Sequence, residues 1–213
     1  MKKIKVCGLT ILEQVQELIS LNTDFLGFIF YEKSPRYVLN HLSLEEISKI
    51  GHQGKVGVFV NETLEKIVEI TETANLNFIQ LHGDENEMFI SALKQRLSPK
   101  IGMIKAIRIN SESIISAKEI FKSFHSIPNT IDYILFDTDS KAFGGTGKQF
   151  DWNILNKIEI PLPYFLSGGI SEQNIDNIKI LGQQPFSIDI NSKFELEPGV
   201  KDLHKIREFY EKL

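Results

Sequence analysis

A single cysteine, Cys7, stands in the run Lys5-Val6-Cys7-Gly8-Leu9-Thr10, at the end of a short apolar stretch and just before a helical pattern. A thiol at a strand end faces whatever the next loop encloses, where it can serve as a nucleophile or a general base. It can equally be a small buried hydrophobe. Asp137 closes another apolar run. An acid and a thiol base on opposite sides of one mouth suit proton transfer within a single substrate. Gly168-Gly169 allows backbone N–H groups to approach an anion closely, and Asn191-Ser192 adds donors nearby. Asp189 ends a further run and is placed to pair with Lys5 or Arg36. His82 alone of the five histidines falls at a strand end, and none has the His-Glu-x-x-His spacing of a metal site. A hydrogen-bonding role is therefore expected for His82, and no metal.

These residues need elements to hold them. Apolar runs rich in Ile, Val and Phe predict strands over 4–7, 26–30, 56–60, 78–81, 103–107, 133–136, 164–166 and 186–190. They do not alternate strictly, as expected for parallel strands buried on both faces. Amphipathic helical patterns separate them. Thr10-x-x-Glu13 and Ser43-x-x-Glu46 read as capping boxes, and Asp84, Asp151 and Ser171 as further helix caps. Ile114, Ala117, Phe121 and Phe124 make one face of a fifth helix. Eight strands, each followed by a helix, predict an α/β fold: a (β/α)8 barrel in one domain over 1–213. An open doubly wound sheet is the alternative, disfavoured because no GxGxxG follows the first strand.

In such a barrel the reactive groups sit at the C-terminal strand ends, and phosphate commonly binds on the loops after strands 7 and 8. Those loops are the ones carrying Gly168, Gly169, Asn191 and Ser192. Gln80 and His82 end the fourth strand and face the same mouth. Gly144-Gly145-Thr146-Gly147-Lys148 invites a P-loop reading, but Ala142 stands where the first glycine belongs and Gln149 replaces the Ser or Thr that would hold magnesium. The run reads instead as an active-site loop able to close over substrate, with Gly145 a candidate contact.

Composition narrows the class. One cysteine excludes a disulfide scaffold and a Cys-rich zinc module. A formal charge of −4, with acidic and basic residues interspersed and no basic stripe, argues against nucleic acid. No apolar stretch approaches membrane-spanning length. Met1-Lys2-Lys3-Ile4 is not followed by the apolar run of a signal peptide. A cytoplasmic protein is expected, and a monomer, since no helix shows a surplus apolar face.

Taken in order, the motifs Lys5-Val6-Cys7-Gly8-Leu9-Thr10, Lys33-Ser34-Pro35-Arg36-Tyr37, Gly57-Val58-Phe59-Val60-Asn61, Gln80-Leu81-His82-Gly83-Asp84-Glu85, Gly144 to Trp152, Leu166-Ser167-Gly168-Gly169 and Pro198-Gly199-x-Lys201-Asp202 make a chain that resembles the phosphoribosylanthranilate isomerases of tryptophan biosynthesis over its full length. The resemblance implies an Amadori rearrangement of a small phosphorylated substrate, with Cys7 as general base and Asp137 as general acid. It implies Arg36 at the anthranilate carboxylate, the 168–169 and 191–192 loops at the phosphate, and no cofactor. Gln80, His82, Gly145 and Asp189 complete the expected substrate contacts. One departure is visible: the family's Asp-x-Ser-Ser-Gly-x-Glu reads here Asp189-Ile190-Asn191-Ser192-Lys193-Phe194-Glu195. Other phosphosugar barrels, such as indole-3-glycerol-phosphate synthase or a ribulose-phosphate epimerase, share the phosphate loops. The synthase would bring a catalytic lysine and extra N-terminal helices, and the epimerase a set of metal ligands. A catalytically dead phosphosugar-binding module should have lost Cys7 or Asp137. A free thiol titrates near about 8.5, so a base at Cys7 is expected to be ionised by Lys5, Arg36 or the first helix N-terminus.

Overall fold

A computed structural model describes residues 2–109, 130–138 and 150–213. Eight parallel strands close into a barrel in chain order: β1 (Lys3–Cys7), β2 (Phe25–Ile29), β3 (Lys55–Phe59), β4 (Phe78–Leu81), β5 (Gly102–Ile109), β6 (Tyr133–Thr138), β7 (Tyr164–Leu166) and β8 (Ser187–Ile190). The pairing of β1 with β8, Lys5 opposite Asp189, makes the closure. The open-sheet alternative is thereby excluded. The helices are α1 (Leu12–Ser20), α2 (Leu44–Ser48), α3 (Leu64–Thr73), α4 (Glu87–Arg96) and α5 (Leu203–Glu211). The fifth predicted helix, around Ile114 to Phe124, lies outside the described residues.

Side chains alternate between two cores, which is why the strands read as continuous apolar runs. Ile4, Val6, Leu26, Phe28, Ile79, Leu81, Ile134, Phe136, Ile188 and Ile190 face outward and pack under the helices. Phe25, Val56, Ile104, Leu135 and Phe165 fill the barrel, with Phe78, Tyr133 and Phe186 against them. Phe25 meets Phe78 and Phe165 edge to face at 5.4 and 5.1 Å. This aromatic packing closes the N-terminal end of the barrel. Further along the strands the inward positions include buried polar groups, Lys5, Gln80 and Asp189. The chain thus confines its chemistry to the C-terminal end.

Several caps differ from expectation. The Ser43–Glu46 capping box forms, and Asp151 accepts from the N–H of Asn153. Thr10 does not cap α1; Ile11 holds that position with no side-chain bond, and the Thr10 hydroxyl donates to Gly199 O at 2.7 Å. Asn86, not Asp84, caps α4. Ser171 caps nothing: its N–H donates to Asn174 Oδ1, and the segments after β6 and β7 are 3-10 turns, Trp152–Lys157 and Ile175–Ile180. A short antiparallel hairpin, β9 (Glu195–Glu197) and β10 (Val200–Lys201), follows β8. Its strands are too short to show a periodicity in the sequence, and only the Pro198-Gly199 turn marks it. Among the described residues no helix is long and apolar enough to cross a membrane.

Candidate active site

Cys7 sits on the last inward position of β1, 5% exposed. Its register partner is Gly27, where a Cβ would lie 2.8 Å from Cys7 Sγ and 2.9 Å from its Cα. Glycine at 27 therefore makes room for the thiol. Gly8 follows with φ +76, and a Cβ there would fall 2.7 Å from Arg36 Cδ and 2.8 Å from Asn191 Oδ1. The Cys-Gly pair is explained on both counts: glycine adopts the left-handed backbone freely and leaves space for two neighbours.

The groups around the thiol pull its ionisation in opposite directions. Burial pushes the Cys7 thiol up; Lys5 and Lys201 pull it back, while Asp189 raises it further. Lys5 hydrogen-bonds the thiol and is the stronger of the two cations that draw it down, but it also pairs with Asp189 at 2.9 Å, both side chains buried, and burial outweighs it. Burial opposes the Lys5 ammonium as well, yet Asp189 outweighs it and holds Lys5 above its ordinary value. The first helix does not help, because α1 begins only at Leu12.

Arg36 is buried beside the cleft, but its fork is partly occupied. Nε donates to both Glu195 oxygens at 2.9 and 3.0 Å, and Nη2 to Oε2 at 2.6 Å. One edge of the guanidinium is taken, and the Nη1–Nη2 edge is left for a ligand carboxylate. Lys201 Nζ donates to the same Glu195 at 2.6 Å and to Asn191 Oδ1 at 2.9 Å. Burial weakens the Glu195 carboxylate, but bonds from Arg36 and Lys201 hold it below the usual carboxylate range.

Across the cleft, Asp137 lies at the end of β6 as expected. Its Oδ1 accepts the Thr138 N–H at 2.8 Å, and its Oδ2 meets His82 Nε2 at 3.1 Å. Gln80 Nε2 lies 2.8 Å from His82 Nδ1. An amide nitrogen only donates, so Nδ1 accepts and the imidazole proton sits on Nε2, toward Asp137. His82 thus serves the acid rather than standing alone. The loop behind it is clamped: Glu85 Oε1 accepts from Asn61 N and Gly83 N, and Lys105 Nζ donates to Glu85 Oε2 and Gly83 O, both at 2.8 Å. These bonds account for the Gln-Leu-His-Gly-Asp-Glu run. Gln80 Oε1 is buried with no partner among the described residues.

The remaining wall is backbone. Gly168 and Gly169 are both left-handed, φ +86 and +68. A Cβ at Gly168 would fall 2.4 Å from Thr138 Oγ1 and 2.9 Å from Thr138 N. Asn191, by contrast, has φ −148, and Lys193 lies in the 3-10 turn Ser192–Phe194. Left-handed backbone is used at neither, which is why Lys in place of Gly is tolerated there. Gly168→Ala is expected to raise KM about tenfold, through the left-handed cost and the clash that displaces the loop. Steady-state kinetics with the substrate named below decide it; an unchanged KM would remove Gly168 from the site.

A cleft of about 820 Å³, counting space open to solvent, brings these residues together: Cys7, Arg36, Gln80, His82, Asp137, Gly168, Gly169, Asp189, Asn191 and Ser192 all line it. Ile29, Val58 and Val60 form its apolar side. Of the expected site residues only Gly145 lies outside the described residues. Sequence reasoning missed the work of Glu195 and Lys201. Both stood in quoted motifs, and two charged residues flanking a Pro-Gly turn were the available signal.

The sequence profile of the family "N-(5'phosphoribosyl)anthranilate (PRA) isomerase" matches residues 4–212. The N-(5'-phosphoribosyl)anthranilate isomerase of Parabacteroides distasonis is 38% identical over 214 residues, covering 99% of this chain and 92% of that protein. The crystal structure of phosphoribosyl anthranilate isomerase from Thermotoga maritima superposes with a TM-score of 0.78 at 32% identity, covering 99% and 98% of the two chains. A phosphoribosyl anthranilate isomerase in complex with reduced 1-(o-carboxyphenylamino)-1-deoxyribulose 5-phosphate gives 0.75 at 30% identity, covering 98% and 96%. With a closed eight-stranded barrel, a thiol and an acid facing one cleft, and these full-length matches, the chain belongs to the N-(5'-phosphoribosyl)anthranilate isomerase family.

Proposed function

We propose that this chain isomerises N-(5'-phosphoribosyl)anthranilate to 1-(2-carboxyphenylamino)-1-deoxyribulose 5-phosphate, a step of tryptophan biosynthesis. One observation carries the reading beyond family membership. Cys7 and Asp137 stand on opposite walls of a cleft that has Arg36 beside an apolar side and paired left-handed glycines elsewhere on its rim.

Asp137 gives a proton to the furanose ring oxygen, and the ring C–O bond breaks to leave a protonated Schiff base at C1'. Cys7, as thiolate, then takes the proton from C2', and the electron pair moves into the iminium. The resulting enolamine tautomerises to the ketone. Ring opening supplies the electron sink, so the reaction as written calls for no cofactor. His82 reaches Asp137 through Nε2 and orients the acid. The anthranilate ring lies against Ile29, Val58 and Val60, its carboxylate on the unoccupied edge of Arg36. The phosphate takes the backbone of 168–169 and 192–193, opposite in sign to the local N–H dipoles. Gln80 Oε1, the unpartnered buried acceptor, receives a ribose hydroxyl. Asp189 acts through Lys5 rather than on substrate.

The test is direct. Purified protein added to freshly made phosphoribosylanthranilate is expected to quench the anthranilate fluorescence far faster than spontaneous decay. A decay rate indistinguishable from buffer would end this reading.

A further inference from the structure

We propose that Lys201 is a positioning residue for the proton abstraction: a buried cation, anchored by Asn191 and Glu195, that biases Cys7 toward its thiolate. The inference rests on the reading of Cys7 as the base.

Lys201 is buried behind the cleft wall and is not among the residues that line the cleft. Burial holds Lys201 below its ordinary value, and what supports the ammonium is Glu195; Nζ has two acceptors, Asn191 Oδ1 and Glu195 Oε1. Asn191 Oδ1 packs against Gly8, the residue after the thiol, and so does Arg36 Cδ. Arg36 returns to Glu195. A closed circuit therefore runs from Gly8 through Asn191, Lys201, Glu195 and Arg36 back to Gly8.

Counting charge around that circuit shows why it matters. Lys5 on β1 pairs with Asp189 on β8 and also hydrogen-bonds the thiol, so it is the first cation to favour the Cys7 anion. Arg36 and Lys201 share one carboxylate, Glu195, which leaves one positive charge in surplus. His82 and Asp137 face the thiol from the far wall and are engaged with each other. Of these two, Lys201 is the one that adds to Lys5 in favouring the Cys7 anion. A surplus cation in a buried setting favours a nearby anion more than one in water does.

The lysine is held by its backbone too. Gln14 on α1 accepts the Lys201 N–H and donates to its C=O, both at 2.9 Å, and Thr10 holds Gly199. The Asn191 anchor belongs to this chain. Where the resemblance expects serine, the longer amide supplies the oxygen that Nζ meets. A serine hydroxyl would stop short of it.

Because Cys7 is the only cysteine, its carbamidomethylation by iodoacetamide as a function of pH reads its ionisation without ambiguity. In Lys201→Met the inflection is expected to rise by about one pH unit, and kcat/KM to fall about tenfold with it. Lys201→Arg keeps the charge and should restore both. Asn191→Ser, which loosens the anchor alone, should move the inflection the same way by less. A folded Lys201→Met whose inflection overlays the wild type overturns the proposal, even if activity drops. Should Lys201→Met fail to fold, Asn191→Ser decides, and an unmoved inflection there overturns it. Cys7→Ser separates the two readings: if that variant stays active, Cys7 is not the base, whatever the inflections show.

Discussion

Cys7→Ser and Asp137→Asn are each expected to lower kcat about 10²–10⁴-fold, with little change in KM. The reasoning is local to each residue. Serine fits the space that Gly27 leaves for the thiol, but a hydroxyl ionises too weakly to take a carbon-bound proton. Asparagine keeps the oxygen that accepts the Thr138 N–H and places an NH2 where Asp137 Oδ2 faces the His82 Nε2–H. It cannot release a proton, and two donors now meet. Fluorescence progress curves under saturating substrate give kcat directly. Retention of kcat within about threefold in either variant would be incompatible with the general acid–base values expected.

Glu195→Gln has the largest expected effect on stability, about 3–5 kcal/mol, because it strands two buried cations on one amide. Urea unfolding should show a lower midpoint with an unchanged slope. A loss below about 1 kcal/mol would place the pair among weak surface bridges instead. The acid limb gives a second readout. Glu195 is held below its ordinary value, so it contributes stability above the unfolded-state pKa, about 4.3. That contribution fades as pH falls through the lower folded-state value. In the glutamine variant this part of the acid dependence should vanish.

How much of this was legible beforehand depends on the range of the interaction. The strands and the Ser43 capping box are local patterns, and both were readable. Cys7, Asp137 and the Gly168-Gly169 turn were readable because a barrel fixes where strand ends point. Thr10 was misread as a cap because Thr-x-x-Glu is a good local signal, and a carbonyl 189 residues away outcompeted it. The hairpin at 195–201 was missed because strands of three and two residues carry no periodicity. Arg36 was correctly placed but not its occupied edge, since Glu195 lies 159 residues on. The balance of influences on Cys7 was out of reach for the same reason. Neighbouring cations are written in the sequence, whereas burial and the pairing of Lys5 with Asp189 are not.

The bonds from Thr10 and Gln14 to Gly199 and Lys201 stitch together residues 189 and 187 positions apart. On a ribosome moving at roughly 5–20 residues per second, the thiol emerges on the order of 10–40 s before the lysine that is to stand beside it. On the proposed roles, a nascent chain carries its base long before it carries the charge that readies it. Competence for proton transfer arrives with the seam that closes the barrel, so the chemistry is withheld until the fold is nearly whole.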